Sequence, residues 1–216
     1  MGNPHWPLFG LRIRTPRLEL RHPDDELVCA LATLASQGVH PPEEMPFSVP
    51  WTDGAPGVTA RNVCQWLWRQ RAEWQPDRWG LSMAVVVDGV PVGLQDMAGE
   101  HFLTCRTVRT GSWLGLGHHG QGIGTEMRAA VLHLAFAGLG AVAAESGAFA
   151  DNPASHAVSR KLGYERNGVR CELRRGAPAT MIGLRLDRDR WASRRRDDIT
   201  IDGLQPCLPL FALGPP

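Results

Sequence analysis

Gly111-Ser-Trp-Leu-Gly-Leu-Gly-His-His-Gly-Gln-Gly-Ile-Gly-Thr125 decides how this chain is read. A strand ending near Leu116 passes through a glycine-rich turn straight into an amphipathic helix, on which Ile123, Met127, Val131, Leu134 and Leu139 are spaced for one buried face. Glycines at 120, 122 and 124 remove the Cβ atoms that would hold a ligand off the backbone. Successive N–H groups at the helix start then converge on an anion, with the helix dipole behind them. The junction is a candidate phosphate-binding loop, and the ligand it predicts is a phosphorylated cofactor.

Two motifs share these residues. Gly115-Leu-Gly117-His-His-Gly120 fits the G-x-G-x-x-G dinucleotide fingerprint, which needs a parallel βαβ unit and an acidic residue about 20 positions on, a place for which Glu145 is a loose candidate. Against this, residues 81–88 and 89–97 read as two strands of a hairpin joined by Asp88-Gly89, the strongest short hairpin signal. An antiparallel lead-in disfavours a doubly wound sheet.

The 216 residues suffice for one domain with a sizeable core, here residues 1–190, plus a C-terminal extension over 191–216. Lys+Arg 23 against Asp+Glu 22 leaves a net charge of +1, so no global field draws the chain to nucleic acid or to a membrane surface. The five cysteines at 29, 64, 105, 171 and 207 are odd in number and form no C-x-x-C pair, which argues against a metal site, a disulfide framework and a cysteine nucleophile. No apolar run reaches membrane-span length and the start of the chain carries no signal pattern, so the expected location is cytoplasmic.

Along the chain, residues 11–21 read as an edge strand interrupted at Thr15-Pro16. Asp24 and Asp25 open a helix carrying Leu27, Ala30, Leu31 and Leu34 and stopping near Gly38. Residues 40–57 form a long loop rich in proline and glycine, of the kind that often carries function. Thr59 caps a second helix bearing Val63, Trp66, Leu67 and Trp74. Beyond the glycine loop come a short apolar strand over 141–146 and a helix with Asn152 as N-cap, Pro153 at its first position and Gly163 past its end. Strands over 164–173 and 180–186 and a strand-like tail over 199–210 complete the pattern.

The chain resembles the GNAT superfamily of N-acyltransferases, which includes the ribosomal-protein N-terminal acetyltransferases. The matching pieces are Gly111-Ser-Trp113-Leu, the loop His119-Gly-Gln-Gly122-Ile-Gly124 continuing into Thr125-Glu126, Ala135-Phe136, Asp151-Asn152-Pro-Ala-Ser155, Leu162-Gly163-Tyr164 and Asn167-Gly168. The general match runs from about Leu11 to Trp191. Within the family the chain is most similar to a proposed mycobacterial succinyl-CoA transferase, also in His5-Trp-Pro-Leu-Phe9 and Met45-Pro-Phe-Ser-Val-Pro-Trp51.

The resemblance implies an α/β (α+β) fold with a mixed sheet of about seven strands, splayed around an acyl-CoA slot and flanked by about four helices. It implies acetyl-CoA or succinyl-CoA as co-substrate and no metal. Leu114 and Leu116 would offer backbone groups to the pantetheine arm, and His119, Gly120, Gln121, Gly122, Ile123, Gly124 and Thr125 would hold the pyrophosphate. Asn152 would cap its helix and also meet the pantetheine arm. Ser155 would help the CoA thiolate leave, and Ser159 stands where other members carry a tyrosine. The general base is open: the position where the family often has Glu is Arg109, leaving Glu100, Asp96 and Glu172 as candidates. Arg109, His101 and Arg106 are candidate partners for a carboxylate on the acceptor or the acyl group.

The activity so implied is N-acyl transfer to a primary amine, on a small molecule or on a protein N-terminus or lysine, by direct attack in a ternary complex. Neither nucleic acid nor membrane is an expected partner, and self-association is left open. The rival readings are a noncatalytic acyl-CoA sensor, suggested by Arg109 in place of Glu, and a nicotinamide-dependent oxidoreductase built on the glycine fingerprint.

Overall fold

A computed structural model describes residues 3–214. Asp88 and Gly89 both take left-handed backbone (φ 48° and 83°), as a two-residue hairpin turn requires. They join β3 (Arg78–Val87) to β4 (Val90–Glu100), both longer than the sequence pattern suggested. The other strands are β1 (Arg12–Arg14), β2 (Glu19–Arg21), β5 (Thr107–Leu114), β6 (Ala143–Phe149), β7 (Glu165–Arg174), β8 (Ala177–Asp187) and β9 (Thr200–Asp202). Together they form one sheet in the order β7-β8-β6-β5-β4-β3-β2-β1-β9, in which β5 and β6 are the parallel neighbours and the other pairs are antiparallel.

A sheet so dominated by antiparallel pairs is not the doubly wound parallel sheet of dinucleotide enzymes, which removes the nicotinamide reading of the glycine loop. The mixed sheet and its helices match the expected fold class. The strand count is nine among the described residues, against about seven expected.

Each face of the sheet is covered by helices. On one side α1 (Asp25–Ser36) and α2 (Pro56–Ala72) bury Leu27, Leu31, Val63 and Leu67 against Leu94 and Trp113. On the other, α4 (Ile123–His133) buries Ile123, Met127 and Val131 against Leu81, Met83 and Val108, and α5 (Pro153–Leu162) packs beside it. The five apolar positions read from residues 123–139 are all buried, but the chain from Glu126 to Phe136 is buried on every side and not on one face alone, and the helix ends in a π turn over Leu134–Gly138.

Several local expectations need correction. Residues 11–21 form the two strands of a tight hairpin, with Thr15 bonded to Leu18 in both directions, and β9 pairs with β1 to become the sheet edge in their place. Helix α2 begins at Pro56 after Ala55, so Thr59 lies buried inside it and does not cap it; proline is favoured at the first helical position because it lacks the N–H that would be left unpaired there. A one-turn helix α3 (Phe102–Cys105), bracketed by the left-handed residues His101 and Arg106, links β4 to β5 where the sequence pattern showed nothing. The slot-forming strands are shifted from expectation: β5 stops at Leu114, short of Leu116, and β6 runs Ala143–Phe149 in place of residues 141–146.

The tail is strand only over β9, then a 3-10 segment, Gln205–Phe211. Phe211 is fully buried with its ring 4.9 Å from Trp79 and 5.2 Å from Trp74, and the Leu210 carbonyl accepts from Trp74 Nε1 at 2.8 Å. The last turns thus plug the end of the core beyond α2. A short helix α6 (Arg188–Ala192) connects β8 to this tail, with Trp191 stacked on Phe136 at 5.0 Å. No helix among the described residues is long and apolar enough to cross a membrane.

Candidate active site

Strands β5 and β6 pair only from Thr107–Arg109 to Ala143–Glu145. Beyond that point β5 stays with β4 as far as Leu114, while β6 stays with β8 as far as Phe149, so the two are drawn apart by their outer neighbours. The facing edges carry peptide groups with no ladder partner, which leaves them available to a ligand that brings its own amides. Side chains close the apex of the opening: Thr110 Oγ1 donates to the Glu145 carbonyl at 3.4 Å and Ser146 Oγ to the Thr110 carbonyl at 3.3 Å.

The open end of this gap meets the glycine loop. Gly120 and Gly122 hold φ of 74° and 80°, a region that disfavours any side chain, and a Cβ at Gly120 would point into open space. Gly122 is the N-cap of α4 and supplies no side-chain cap, so the N–H groups of Ile123 and Gly124 are left without a partner among the described residues, while that of Thr125 donates to the Gly122 carbonyl at 3.1 Å. The loop is braced from within by His119 Nε2 against the Leu114 carbonyl (3.1 Å) and by Gln121 Nε2 donating to the Gly117 carbonyl (2.9 Å). His119 itself is exposed, and Leu116 is 44% exposed in the short turn after β5.

Arg17 adds a cation that the sequence pattern did not reveal. It comes from the β1–β2 turn, donates to the Gln121 carbonyl at 3.1 Å, and is held by Glu126 at 2.5 and 2.7 Å. Burial raises the Glu126 carboxyl, but the Thr15 hydroxyl and Arg17 outweigh it and hold the group below its ordinary value, so it stays charged and keeps Arg17 against the loop. A cavity of ≈ 210 Å³ next to Thr125 carries further cations, Lys161, Arg194 and Arg196. The residues present therefore fit a pyrophosphate: flexible glycines, free N–H groups and a positive rim.

Across the gap, α5 presents its N-terminus. The Asn152 side chain accepts from the Ser155 N–H at 3.0 Å, so the capping role read from sequence is realised, and Gly163 closes the helix at φ 91°. Ser155 is half-buried, and its hydroxyl bonds to no other described residue. Ser159 is buried and accepts from Arg128 at 3.0 Å. Tyr164 is packed in the core with its hydroxyl 3.4 Å from Thr110 Oγ1, and burial pushes its phenol up. For the capping pair, Asn152→Ala should lower stability by about 1 kcal/mol, measured by urea unfolding. Ser155→Ala should leave stability near wild type and lower turnover by roughly 10²-fold. Wild-type turnover in that variant, with chemistry limiting the rate, assigns Ser155 to the helix end alone.

The sheet face under α1 and α2 holds the carboxylates. Asp96 on β4 is paired with Gly111 on β5 and with Ser82 on β3, whose hydroxyl donates to it at 2.5 Å. Gly111 is exposed and has open space where a side chain would stand, so a window beside Asp96 looks onto the gap. Burial pushes the Asp96 carboxyl up to about 6, against the opposing Ser82 bond. Two residues further along the same face begins a cavity of ≈ 530 Å³ lined by Glu73, Arg78, Ala98, Glu100, Arg109 and Glu145, among others. Glu100 sits exposed on its rim.

Glu172 lies elsewhere, on β7, accepting from Ser48 Oγ (2.6 Å) and Arg170 Nε (2.5 Å), which hold its carboxyl below the ordinary range. The bond to Ser48 is one of several that pin the 40–57 loop. Arg175 grips Asp53 at 2.6 and 2.7 Å, and Phe47 and Trp51 pack in series onto Trp113 of β5, with ring centroids 5.1 and 5.8 Å apart. The loop thereby lies over the sheet face next to the window.

The cations expected at an acyl terminus fall outside the gap. Arg109 is 3.8 Å from Glu145, His101 is 3.3 Å from Asp77, and Arg106 stacks over the Phe102 ring at 5.5 Å. All three belong to the end of the sheet where β5 and β6 are still joined. Among the described residues no group of three or more His, Cys, Asp or Glu could hold a metal ion.

Comparison with known proteins agrees with this geometry. The GNAT acetyltransferase domain model matches residues 17–165. Among solved structures, RimJ of Mycobacterium smegmatis in complex with CoA-disulfide superimposes with a TM-score of 0.70 at 19% identity, covering 94% of this chain and 95% of that one. RimL, a ribosomal L7/L12 alpha-N-protein acetyltransferase in complex with coenzyme A, gives 0.63 at 19% identity over 81% of this chain and 96% of that one. A GCN5-related N-acetyltransferase from Brucella melitensis gives 0.67 at 16% identity over 85% and 81%. With the family model spanning more than half of its length, and the glycine loop and strand gap within the matched region, the chain belongs to the GNAT acetyltransferase family.

Proposed function

We propose that the protein is an N-acyltransferase that uses acetyl-CoA or succinyl-CoA and acylates a primary amine by direct attack in a ternary complex. The observation that carries this reading is the β5–β6 gap, bounded at one end by the uncapped glycine loop and flanked by the Asp96 window. Acyl-CoA supplies the activated acyl carbon and the leaving thiolate. Everything else falls to the residues around the gap.

Gly120, Gly122 and the first N–H groups of α4 bind the pyrophosphate, with Arg17 as a flanking charge. The unpaired edge of β5 near Ser112–Leu114 orients the pantetheine arm and offers an amide to the developing oxyanion. Asp96 is the preferred base: a carboxyl pushed up to about 6 is still ionised at neutral pH yet has more basicity than an ordinary aspartate, and it lies where an incoming amine can reach it through the opening at Gly111. Glu172, held low and committed to Ser48 and Arg170, and Glu100, out on the cavity rim, are weaker candidates. Ser155 donates toward the departing sulfur. The amine belongs to a small molecule or to a protein N-terminus or lysine; the likeness to RimL, a ribosomal L7/L12 alpha-N-protein acetyltransferase, supports a protein acceptor.

The test is a turnover assay with each acyl-CoA and a panel of peptide and small-molecule amines, following thiol release and the mass of the acceptor. Thiol release matched by one added acyl group per acceptor is the expected result. Binding of CoA without turnover across the panel would convert the protein into an acyl-CoA sensor.

A further inference from the structure

The ≈ 210 Å³ cavity is reached from the side of α4 opposite to Met127 and Val131, which face the sheet. Thr125, Ala129 and His133 line it from that helix, Lys161 from the end of α5, and Trp191 and Arg194 from the chain beyond β8, which lies outside the matched family region of residues 17–165. His133 is 7% exposed and meets the Trp191 ring edge to face at 5.9 Å, and its Nδ1 has no hydrogen-bond partner among the described residues. A buried nitrogen left so is costly unless a ligand or water completes it. Beyond β8 the arginines are engaged with one exception: Arg188 donates to the Phe136 and Ala141 carbonyls, Arg190 is paired with Glu165, Arg195 with Asp197 and Arg196 with Asp198. Among the described residues Arg194 has no such partner. Its side chain lies across Gly163, where a Cβ would come within 2.8 Å of the Arg194 Cδ, and it shares the cavity rim with Lys161, likewise free of any carboxylate among the described residues.

Thr125 belongs to the same first turn of α4 as the Ile123 and Gly124 N–H groups assigned to the pyrophosphate, so the cavity begins about one helical turn, ~5.4 Å, from that group. Its volume equals roughly seven waters, room for one flat heterocycle. An aromatic wall, an unpaired ring nitrogen and two uncompensated cations at the rim complement a purine that carries an additional phosphate. We propose that this cavity takes the adenine of CoA and that Lys161 and Arg194 hold the 3′-phosphate on its ribose. The His133 ring accepts from the exocyclic amine or donates to a ring nitrogen of the base, which gives its orphaned Nδ1 a partner. This rests on the acyl-CoA reading above and adds a choice of donor to it. The chain beyond β8 selects free acyl-CoA over an acyl group carried on phosphopantetheine alone, as on a carrier protein, because only CoA brings the nucleotide.

The experiment compares CoA, 3′-dephospho-CoA and 4′-phosphopantetheine by calorimetry on the full chain at fixed ionic strength. The wild-type protein should bind CoA roughly tenfold more tightly than 3′-dephospho-CoA, and 3′-dephospho-CoA more tightly than 4′-phosphopantetheine. Lys161→Gln combined with Arg194→Gln should bring CoA down to the affinity of 3′-dephospho-CoA. Arg160→Gln, which removes an exposed cation of α5 outside the cavity, should leave the difference in place. His133→Phe should weaken both nucleotides and leave 4′-phosphopantetheine unchanged. Equal binding of CoA and 3′-dephospho-CoA by wild type overturns the inference without any variant and leaves the acyl-CoA reading standing; equal binding of 3′-dephospho-CoA and 4′-phosphopantetheine does the same by removing adenine from the cavity. A folded double variant that keeps the CoA preference, or an Arg160→Gln variant that loses it, also overturns the inference, since the cavity cations are then not its source. If wild type binds none of the three, the acyl-CoA reading fails and this inference with it.

Discussion

Asp96→Asn should depress kcat/KM for amine acylation by about 10²- to 10⁴-fold, the range for removing a general base. In the wild-type protein the rate should climb with pH through about 6, where the Asp96 carboxyl gives up its proton, before any dependence on the amine itself appears. That limb should vanish in the variant. The same substitution should raise stability, and the sign follows from linkage: the folded carboxyl binds its proton more tightly than the unfolded one, so ionisation opposes folding above about pH 6 and has no effect below about pH 4. Removing the ionisable group therefore stabilises at pH 8 by up to about 3 kcal/mol. At pH 4 it should change little. Thermal melts at the two pH values, beside the rate profile, separate a base from a merely buried aspartate. A variant that keeps the low-pH limb at full rate would move the base to Glu100 or to solvent.

Gly122→Val should weaken acyl-CoA binding by roughly tenfold to a hundredfold. The position has φ 80°, and a Cβ there would lie 3.4 Å from Arg17 Nη2, so the substitution both strains the N-cap and crowds the flanking cation. The conformational cost to the fold is about 1–2 kcal/mol, which the protein should survive. Gly124 offers a contrast within the same loop. Its φ is not positive, and its nearest neighbours to a Cβ are Val158 at 3.7 Å and Leu114 at 3.9 Å, ordinary contacts. Gly124→Ala should leave the fold near wild type, and Gly124→Val should press on Leu114 and Val158 at the mouth of the gap and weaken binding by steric means. Unchanged CoA affinity in folded Gly122→Val and Gly124→Val, measured by calorimetry, would remove the loop from the phosphate site.

The two substitutions probe opposite ends of one device. The sheet gap exists because β5 and β6 each keep a committed antiparallel neighbour while sharing only a three-residue parallel ladder. Asp53–Arg175 and Ser48–Glu172 join segments more than a hundred residues apart, so the 40–57 loop is pinned by contacts that no local pattern announces.

Local physics made much of this chain legible in advance. The glycines at 120 and 122, Asn152 with Pro153, Asp24 and Asp88-Gly89 all act within a few residues of themselves, through left-handed backbone, capping bonds and turn geometry, and each takes in the structure the role its neighbours dictated. The apolar positions from Ile123 to Leu139 are all buried as their spacing foretold, but so is every residue from Glu126 to Phe136, because α4 is enclosed on all sides, which a one-faced period could not reveal. Thr59 misled because a good capping residue and a buried helix position look alike until the proline that starts the helix is placed. What only the tertiary structure decided are the groups whose meaning comes from distant partners. Asp96 among three equivalent carboxylates, Arg17 beside the loop and Arg194 at the cavity rim are unremarkable in one dimension, since desolvation and charge pairing depend on which strands and helices close around a side chain. The hydrophobic and hydrogen-bonding pattern determined the sheet-and-helix framework and its glycine loop; the long-range packing decided which charges stand beside that loop and the gap.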